Sequence, residues 1–329
     1  MKYKLLLLLS VQTLYAGQFS FLWYNDVFAG RDRHFTNGVG VSWLDNTFEN
    51  KEDNISNGYS ALMFDIANAI PPVTMDESRQ HNAGISLYQI TITPTDTRTS
   101  VPQHDDMAYA GYLALASYLF EWDSTSFDER RIELGVVGEE SGAEWLQTTT
   151  HKIIGNTQPK GWGTQIGTEL TINVLLRHGQ KSWQHHYENG LNADLFTHFG
   201  IQVGNFITDA FAGTIFRVGE NYIENFNVNY PYLKEEASLL QSYKKHEDIG
   251  WSCDVGINGE VLGYSYILDR SKKEGYQVNK SGFSAALYTG ASLYYEGQKL
   301  TFFYQSQPSY IEGKNEIDTI GGFKFTYQF

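Results

Sequence analysis

The chain has a single cysteine, Cys253, in 329 residues, so no disulfide can form within it and the fold must be held by other means. After its first residues it has no apolar run near the ~18 that a membrane-crossing helix needs, and its mean hydropathy is −0.37. Cations are scarce. The 24 Lys and Arg residues face 38 Asp and Glu, which leaves no basic patch for nucleic acid. No linker, low-complexity tract or repeat interrupts the sequence, and it reads as one domain. A G-x-S-x-G elbow is missing too, and no Ser/His spacing supports covalent serine chemistry.

What is present begins with a leader. Residues 1–16 carry Lys2 and Lys4, a leucine run from Leu5 to Leu9, and small residues at Ala16 and Gly17, the pattern of a secretory signal. The mature domain would then span 17–329. Without those two lysines, 22 basic residues face 38 acidic ones and the net charge becomes −16.

Aromatics make up 15% of the chain, with 22 tyrosines. Near the C-terminus Phe323, Phe325, Tyr327 and Phe329 alternate with Gly322, Lys324, Thr326 and Gln328. This ending resembles the last strand of bacterial outer-membrane barrels, whose lipid-facing and lumen-facing residues alternate. Gln165–Arg177 repeats the pattern, with Ile166, Leu170, Ile172, Val174 and Leu176 on one phase. In lipid every backbone N–H and C=O must be paired within the protein, and a closed antiparallel barrel is the β solution.

Twelve strands are expected: Gly17–Asp26, Phe35–Asp45, Asn82–Thr91, Ala108–Phe120, Arg131–Gly138, Gln165–Arg177, Leu191–Gly204, Ala210–Val218, Gly250–Tyr264, Ser281–Tyr294, Lys299–Gln307 and Asp318–Phe329. The fold class is thus all-β, a closed antiparallel transmembrane β-barrel of about 12 strands in the outer membrane of a Gram-negative bacterium. It is expected to be a monomer. With both ends periplasmic, odd-to-even connections face outside. One periplasmic connection, 46–81, is much longer than usual, and its 61–70 portion reads as a helix or an extra hairpin.

One extracellular connection carries a helical pattern over about 142–154. Ser141 and Glu144 form an S-x-x-E capping box, Gly155 is a natural stop, and Gln147 and His151 sit four apart on one face. Thr148, Thr149 and Thr150 are poor helix formers, so so short a helix needs something larger to pack on.

The first hairpin crowds oxygen-bearing side chains around one loop: Asn25, Asp26, Asp32, Thr36 and Asn37. Asp26 and Thr36, with loop carbonyls and water, can hold a hard cation such as Ca²⁺, whereas zinc would want thiolates or imidazoles. An ordinary solvated turn accounts for the same residues. Strand phase puts Asn25 and Asn37 outward and Asp26 and Thr36 inward. Polar residues on an outward phase near the rim suit either an enzyme acting on an outer-leaflet lipid or a rim in the headgroup layer. His178, His185 and His186 gather around an expected periplasmic turn, where a metal site and solvated turn residues are both open readings.

The Asn25-Asp26 pair, Asp32-Arg33-x-Phe35-Thr36, Gln147-x-x-x-His151-x-Ile-Ile-Gly155 and Trp162-x-x-Gln165 together resemble the LpxR-type lipid A 3′-O-deacylases. The resemblance implies a twelve-stranded barrel and a Ca²⁺-dependent esterase site between the outer wall and a loop helix. It implies cation binding by Asp26 and Thr36, with Asn25 beside them and His151 and Gln147 over the site. His151 would act as the base on water while Ca²⁺ stabilises the oxyanion of the acyl ester. The substrate implied is lipid A of lipopolysaccharide. A family lysine after the third strand falls near Thr99, leaving Arg33, Arg98, Lys152 and Lys160 as phosphate-anchoring candidates. A passive or structural barrel and an outer-membrane phospholipase are the alternatives.

Overall fold

A computed structural model of the chain describes residues 17–29, 34–47, 58–70, 76, 78–222, 226, 248–314 and 316–328. The leader, Asp32, Arg33 and Phe329 lie outside the described residues. Twelve strands run antiparallel in chain order: β1 (Gln18–Asn25), β2 (His34–Leu44), β3 (Gln80–Thr93), β4 (Ala110–Trp122), β5 (Ser126–Val137), β6 (Glu169–His186), β7 (Leu191–Gly204), β8 (Ile207–Glu220), β9 (Gly250–Ser265), β10 (Phe283–Tyr295), β11 (Gln298–Pro308) and β12 (Ile317–Gln328). β1 closes on β12 from Gln18↔Gln328 to Asn25↔Gly321, so the sheet is a barrel without edges. Helices α1 (Gly58–Ala69), α2 (Ala143–Ile154) and α3 (Tyr266–Lys273) sit in the connections. No described helix is long and apolar enough to cross a membrane.

The distribution of polarity is inverted relative to a protein in water. Leu134, Leu170, Ile172, Ile201, Val203, Ile257 and Phe302 are exposed on the outer wall, while Glu129, Arg131, Arg177, Asp194 and Arg217 are buried in the lumen. Lipid is the solvent that rewards this arrangement. Inside, buried charges are paired as their desolvation requires. Arg177 meets Glu129, Arg131 lies 3.5 Å from Glu129, and Arg217 donates to Asp194 at 2.6 Å. The turn end is the one where β1 begins and β12 ends; the loop end is opposite.

The loop end is filled. Tyr266, Ile267 and Leu268 of α3 join Ile92, Met107, Tyr112, Ile166 and Phe206 in one apolar cluster. The Tyr112 and Phe206 rings stack with centroids 3.6 Å apart.

Three expectations need correction. β6 does not start at Gln165 or end at Arg177; it runs over Glu169–His186, because its last residues leave the apolar belt as a polar hairpin in which alternation is lost. Consequently His178 is not a turn residue but stands on the wall, 2.8 Å from Asp128, while His185 packs on Tyr187 and His186 bonds Asn192. Among the described residues no three of His, Cys, Asp and Glu gather to hold a metal. The Ser141 capping box also fails to form. Ser141 belongs to a 3-10 turn, Glu139–Ser141, its hydroxyl donates to Gly138 O at 2.6 Å, and Gly142 with φ 70° occupies the N-cap.

The long connection between β2 and β3 contains α1, a helix rather than a hairpin. Met63, Phe64 and Ala67 pack on Ala83 and Leu119, which occupy the outward phase of β3 and β4. The helix therefore lies against the outside of the barrel at the turn end.

Candidate active site

α2 also lies outside the barrel, at the loop end over β3 and β4. Its approach is close because Gly111 of β4 has no side chain: a Cβ there would stand 2.4 Å from Ala143 Cβ and 2.1 Å from Ser141 Oγ. Beneath the helix the outward phase of β3 turns from apolar to polar, from Leu87 to Gln89, Thr91 and Thr93. Thr91 and Thr93 are buried, and the Gln89 amide donates to Ser141 O.

The face α2 presents to the protein repeats every four residues through Ala143, Gln147 and His151, as expected from their spacing. Gln147 is 4% exposed and His151 6%. The opposite face carries Trp145 at 70% and Ile153 at 79% exposure, side chains that suit the headgroup boundary of a membrane.

Local structure fixes both polar side chains. Gly155, with φ 72°, ends the helix in the left-handed conformation that favours glycine. The chain reverses there, and the carbonyl of Thr157 comes within 2.6 Å of His151 Nδ1. A carbonyl only accepts, so Nδ1 carries the proton and the neutral ring keeps its lone pair on Nε2. The Trp162 indole donates to Gln147 Oε1 at 2.8 Å; indole N–H can only donate, which sets the amide's orientation. Trp162 is itself packed on Tyr109, ring centroids 5.0 Å apart.

That orientation leaves Gln147 Nε2 buried without a hydrogen-bond partner among the described residues. Gln89 Oε1, Thr91 Oγ1 and Gln165 Oε1 are in the same condition. Buried polar atoms are normally paired, and each exception asks for an explanation. A polar ligand entering between helix and wall would satisfy them. With a base nitrogen and an amide donor on one helical face, the arrangement can take a proton from water and stabilise a developing oxyanion.

The opening hairpin approaches the same band of wall. Asn25 pairs with Gly321 on one side, Tyr24 pairs with Gly38, Asn37 with Thr91, and Thr91 with Gly111. Asn25, Asn37, Thr91 and Gly111 thus follow one another across four strands, roughly 14 Å at the usual interstrand spacing. Asn37 Oδ1 accepts from Trp23 Nε1 at 2.7 Å, so the outward phase predicted for Asn37 holds.

Asp26 begins a 3-10 turn directly after β1 and is 3% exposed. Thr36 is the extra residue of a β-bulge, where the register steps from Phe35↔Ile92 to Asn37↔Thr91; bulges re-aim side chains, and the Thr36 side chain lies outside the described residues. Asp26 itself offers a carboxylate, the donor type a hard cation such as Ca²⁺ takes, whereas zinc sites are built mainly from thiolates and imidazoles.

The anchoring candidates separate. Arg33 lies outside the described residues. Lys152 and Lys160 are exposed on and after α2. Arg98 is exposed in the β3–β4 connection and bonds Asp96 at 2.9 Å; that hydrogen bond holds the Asp96 carboxyl below its ordinary range and raises the Arg98 guanidinium. The same connection is tied to the α2 loop through Lys160 N and Thr97 O, 2.9 Å apart.

Sequence reasoning did not single out Gln89 or Thr91, and it gave Thr157 no role in orienting His151. The first two were detectable as the place where an outward apolar phase becomes polar before the strand ends; Thr157 contributes only its backbone.

Comparison with known proteins is consistent with this architecture. The family model described as outer membrane protein LpxR matches residues 3–329. The solved structure of LpxR from Salmonella typhimurium superposes with a TM-score of 0.76 at 14% identity, covering 95% of this chain and 100% of that one. The β domain of the Bordetella autotransporter BrkA gives a TM-score of 0.46 at 10% identity, covering 95% and 98%. No curated protein matches the sequence.

Proposed function

The chain belongs to the LpxR family of outer-membrane proteins, and from that premise we propose that it is a hydrolase removing the acyl or acyloxyacyl chain ester-linked at the 3′ position of lipid A. The observation that carries this reading is the pairing of Gln147 and His151 on the buried face of α2, with Nδ1 engaged by Thr157 O and the Gln147 amide turned by Trp162. The substrate lies in the outer leaflet, where a site on the outside of the wall meets it without extraction from the membrane.

His151 Nε2 takes a proton from water as the water oxygen bonds to the acyl carbonyl carbon. Gln147 Nε2 donates to the carbonyl oxygen as its negative charge develops. The ester C–O bond then breaks, and the proton held on His151 passes to the departing sugar oxygen, giving a free 3′ hydroxyl and a fatty acid. Asp26, with Thr36 and Asn25 beside it, would hold Ca²⁺, which when bound supplies Lewis-acid stabilisation of the same oxyanion. Lys152, with Arg33 and Arg98, would meet the phosphates of lipid A. The protein acts as a monomer, since one chain closes the barrel and carries every group named.

The test is expression in a host with defined hexa-acylated lipid A, with and without a chelator, and mass spectrometry of the lipid. Loss of the 3′ chain that chelation prevents is the expected result. Unchanged lipid A in the presence of folded barrel and Ca²⁺ overturns the proposal, and release of fatty acid from added glycerophospholipid instead would make the protein a phospholipase.

A further inference from the structure

Far from α2, on the turn-end half of the outer wall, three strands bring charge onto the outward phase. The register puts Asp128, His178 and Phe199 in one row across β5, β6 and β7, and Arg130, Leu176 and Ile201 in the next. These residues line a 290 Å³ cavity that opens toward the membrane. Arg130 is 5% exposed and stands 4.0 Å from Glu121; Arg79 bridges Glu121 and Asp128 at 3.0 and 2.6 Å. His178 Nδ1 faces Asp128 at 2.8 Å, which turns Nε2 away from that carboxylate.

Charged groups on the lipid phase are tolerated near a membrane boundary, where polar headgroups lie, and are costly toward the midplane. The wall above this cavity follows that rule. Toward the loop end the same strands continue outward with Leu134, Ile172 and Val203, all exposed. From this charged row toward the membrane centre the surface passes to an uninterrupted apolar face, while the exposed Trp183 and Phe216 flank the row on its turn-end side. A phospholipid of the periplasmic leaflet has this polarity in this direction: phosphate at the boundary, acyl chains toward the centre.

We propose that the cavity binds one glycerophospholipid of the periplasmic leaflet, its phosphate against Arg130 and His178 and its acyl chains along Leu176, Ile201 and the apolar wall above. The guanidinium fork matches phosphate oxygens, and a charge-assisted bond to phosphate is among the stronger polar contacts. Phe199, whose ring centroid is 5.5 Å from that of His178, forms the side of the cavity facing β8. This site is separate from the proposed deacylase site and uses none of its residues.

The experiment is native mass spectrometry of the delipidated, full-length folded barrel in detergent, offered either dioleoylphosphatidylethanolamine or dioleoylglycerol, which has the same chains without the phosphate. Wild type is expected to retain one phosphatidylethanolamine about tenfold better than dioleoylglycerol. Arg130→Gln with His178→Ala abolishes that preference. Should this double variant not fold, as judged by heat-modifiable migration, Phe199→Ala removes an exposed wall without touching an ion pair and lowers retention severalfold. Equal retention of both lipids by wild type, or undiminished phosphatidylethanolamine retention by the folded variants, overturns the proposal.

Discussion

Two helices lie on the outside of this barrel, both over β3 and β4, and they pack in opposite ways. At the turn end α1 presses Met63, Phe64 and Ala67 onto Ala83 and Leu119, and its polar groups are engaged. Tyr59 Oη bonds Gly84 O and Ser117 Oγ, and Ser60 bonds Asp45. At the loop end α2 covers a polar strip and leaves Gln147 Nε2, Gln89 Oε1 and Thr91 Oγ1 without hydrogen-bond partners among the described residues. Packing density is what a brace needs; a row of buried, unsatisfied donors and acceptors costs stability unless something polar enters. Trp43 Nε1 beside Tyr59 is one such atom at the α1 end; the proposed function takes α1 as a brace and α2 as the roof of the site.

Breaking the α2 side has the largest expected effect. Gln147→Ala removes the proposed oxyanion donor and should lower kcat for lipid A deacylation by about 10²-fold or more, while urea unfolding in vesicles stays close to wild type. A brace-like α2 would give the reverse result. Trp162→Phe keeps the ring packing on Tyr109 but frees the Gln147 amide to turn. The expected loss is about tenfold in kcat with KM little changed, the mark of a positioning residue.

The α1 side responds in the opposite currency. Phe64→Ala deletes a ring packed on His81, centroids 5.3 Å apart, and should cost about 3 kcal/mol in urea unfolding while turnover by the folded fraction stays within about twofold. Loss of turnover without loss of stability would erase the distinction between the helices.

The smallest effect concerns pH. Burial chiefly, and the Asp45 charge further, push the Tyr59 phenol from its ordinary 10 to about 12, against a smaller lowering by the Ser117 hydrogen bond. The folded state holds that proton more tightly than the unfolded chain, so the contribution of Tyr59 is complete below pH 10 and is lost as pH rises toward 12. Trp43, whose ring centroid is 6.4 Å from that of Tyr59, should report the loosening of α1 by fluorescence in this window, and Tyr59→Phe should remove the difference.

These contrasts also explain what the sequence made legible. Strand alternation depends on neighbours two residues apart, so all twelve strands and their order were readable, and the Gln147/His151 pair was readable because it spans one helical turn. Boundaries failed where the physics stops being local. The end of β6 passes from lipid to water, and Ser141 donates its hydroxyl to Gly138 O and accepts from Ala143 N at 3.4 Å, one position short of the N-cap role its spacing suggests. Asn37, Thr91 and Gly111 come from three strands, and only the closed register brings them into one band. The Thr157 carbonyl that orients His151 leaves no trace in residue type, because any residue but one with a displaced backbone would supply it.

The central claim is that the imidazole under α2 performs the chemistry. Its most direct measurement is mass spectrometry of lipid A from cells expressing His151→Ala, with heat-modifiable migration verifying the folded barrel and wild type as the reference. The account predicts that wild type removes the 3′ chain and that the variant leaves it in place, a loss of roughly 10³-fold as expected for a general base. Continued 3′ deacylation by folded His151→Ala at the wild-type rate would contradict it.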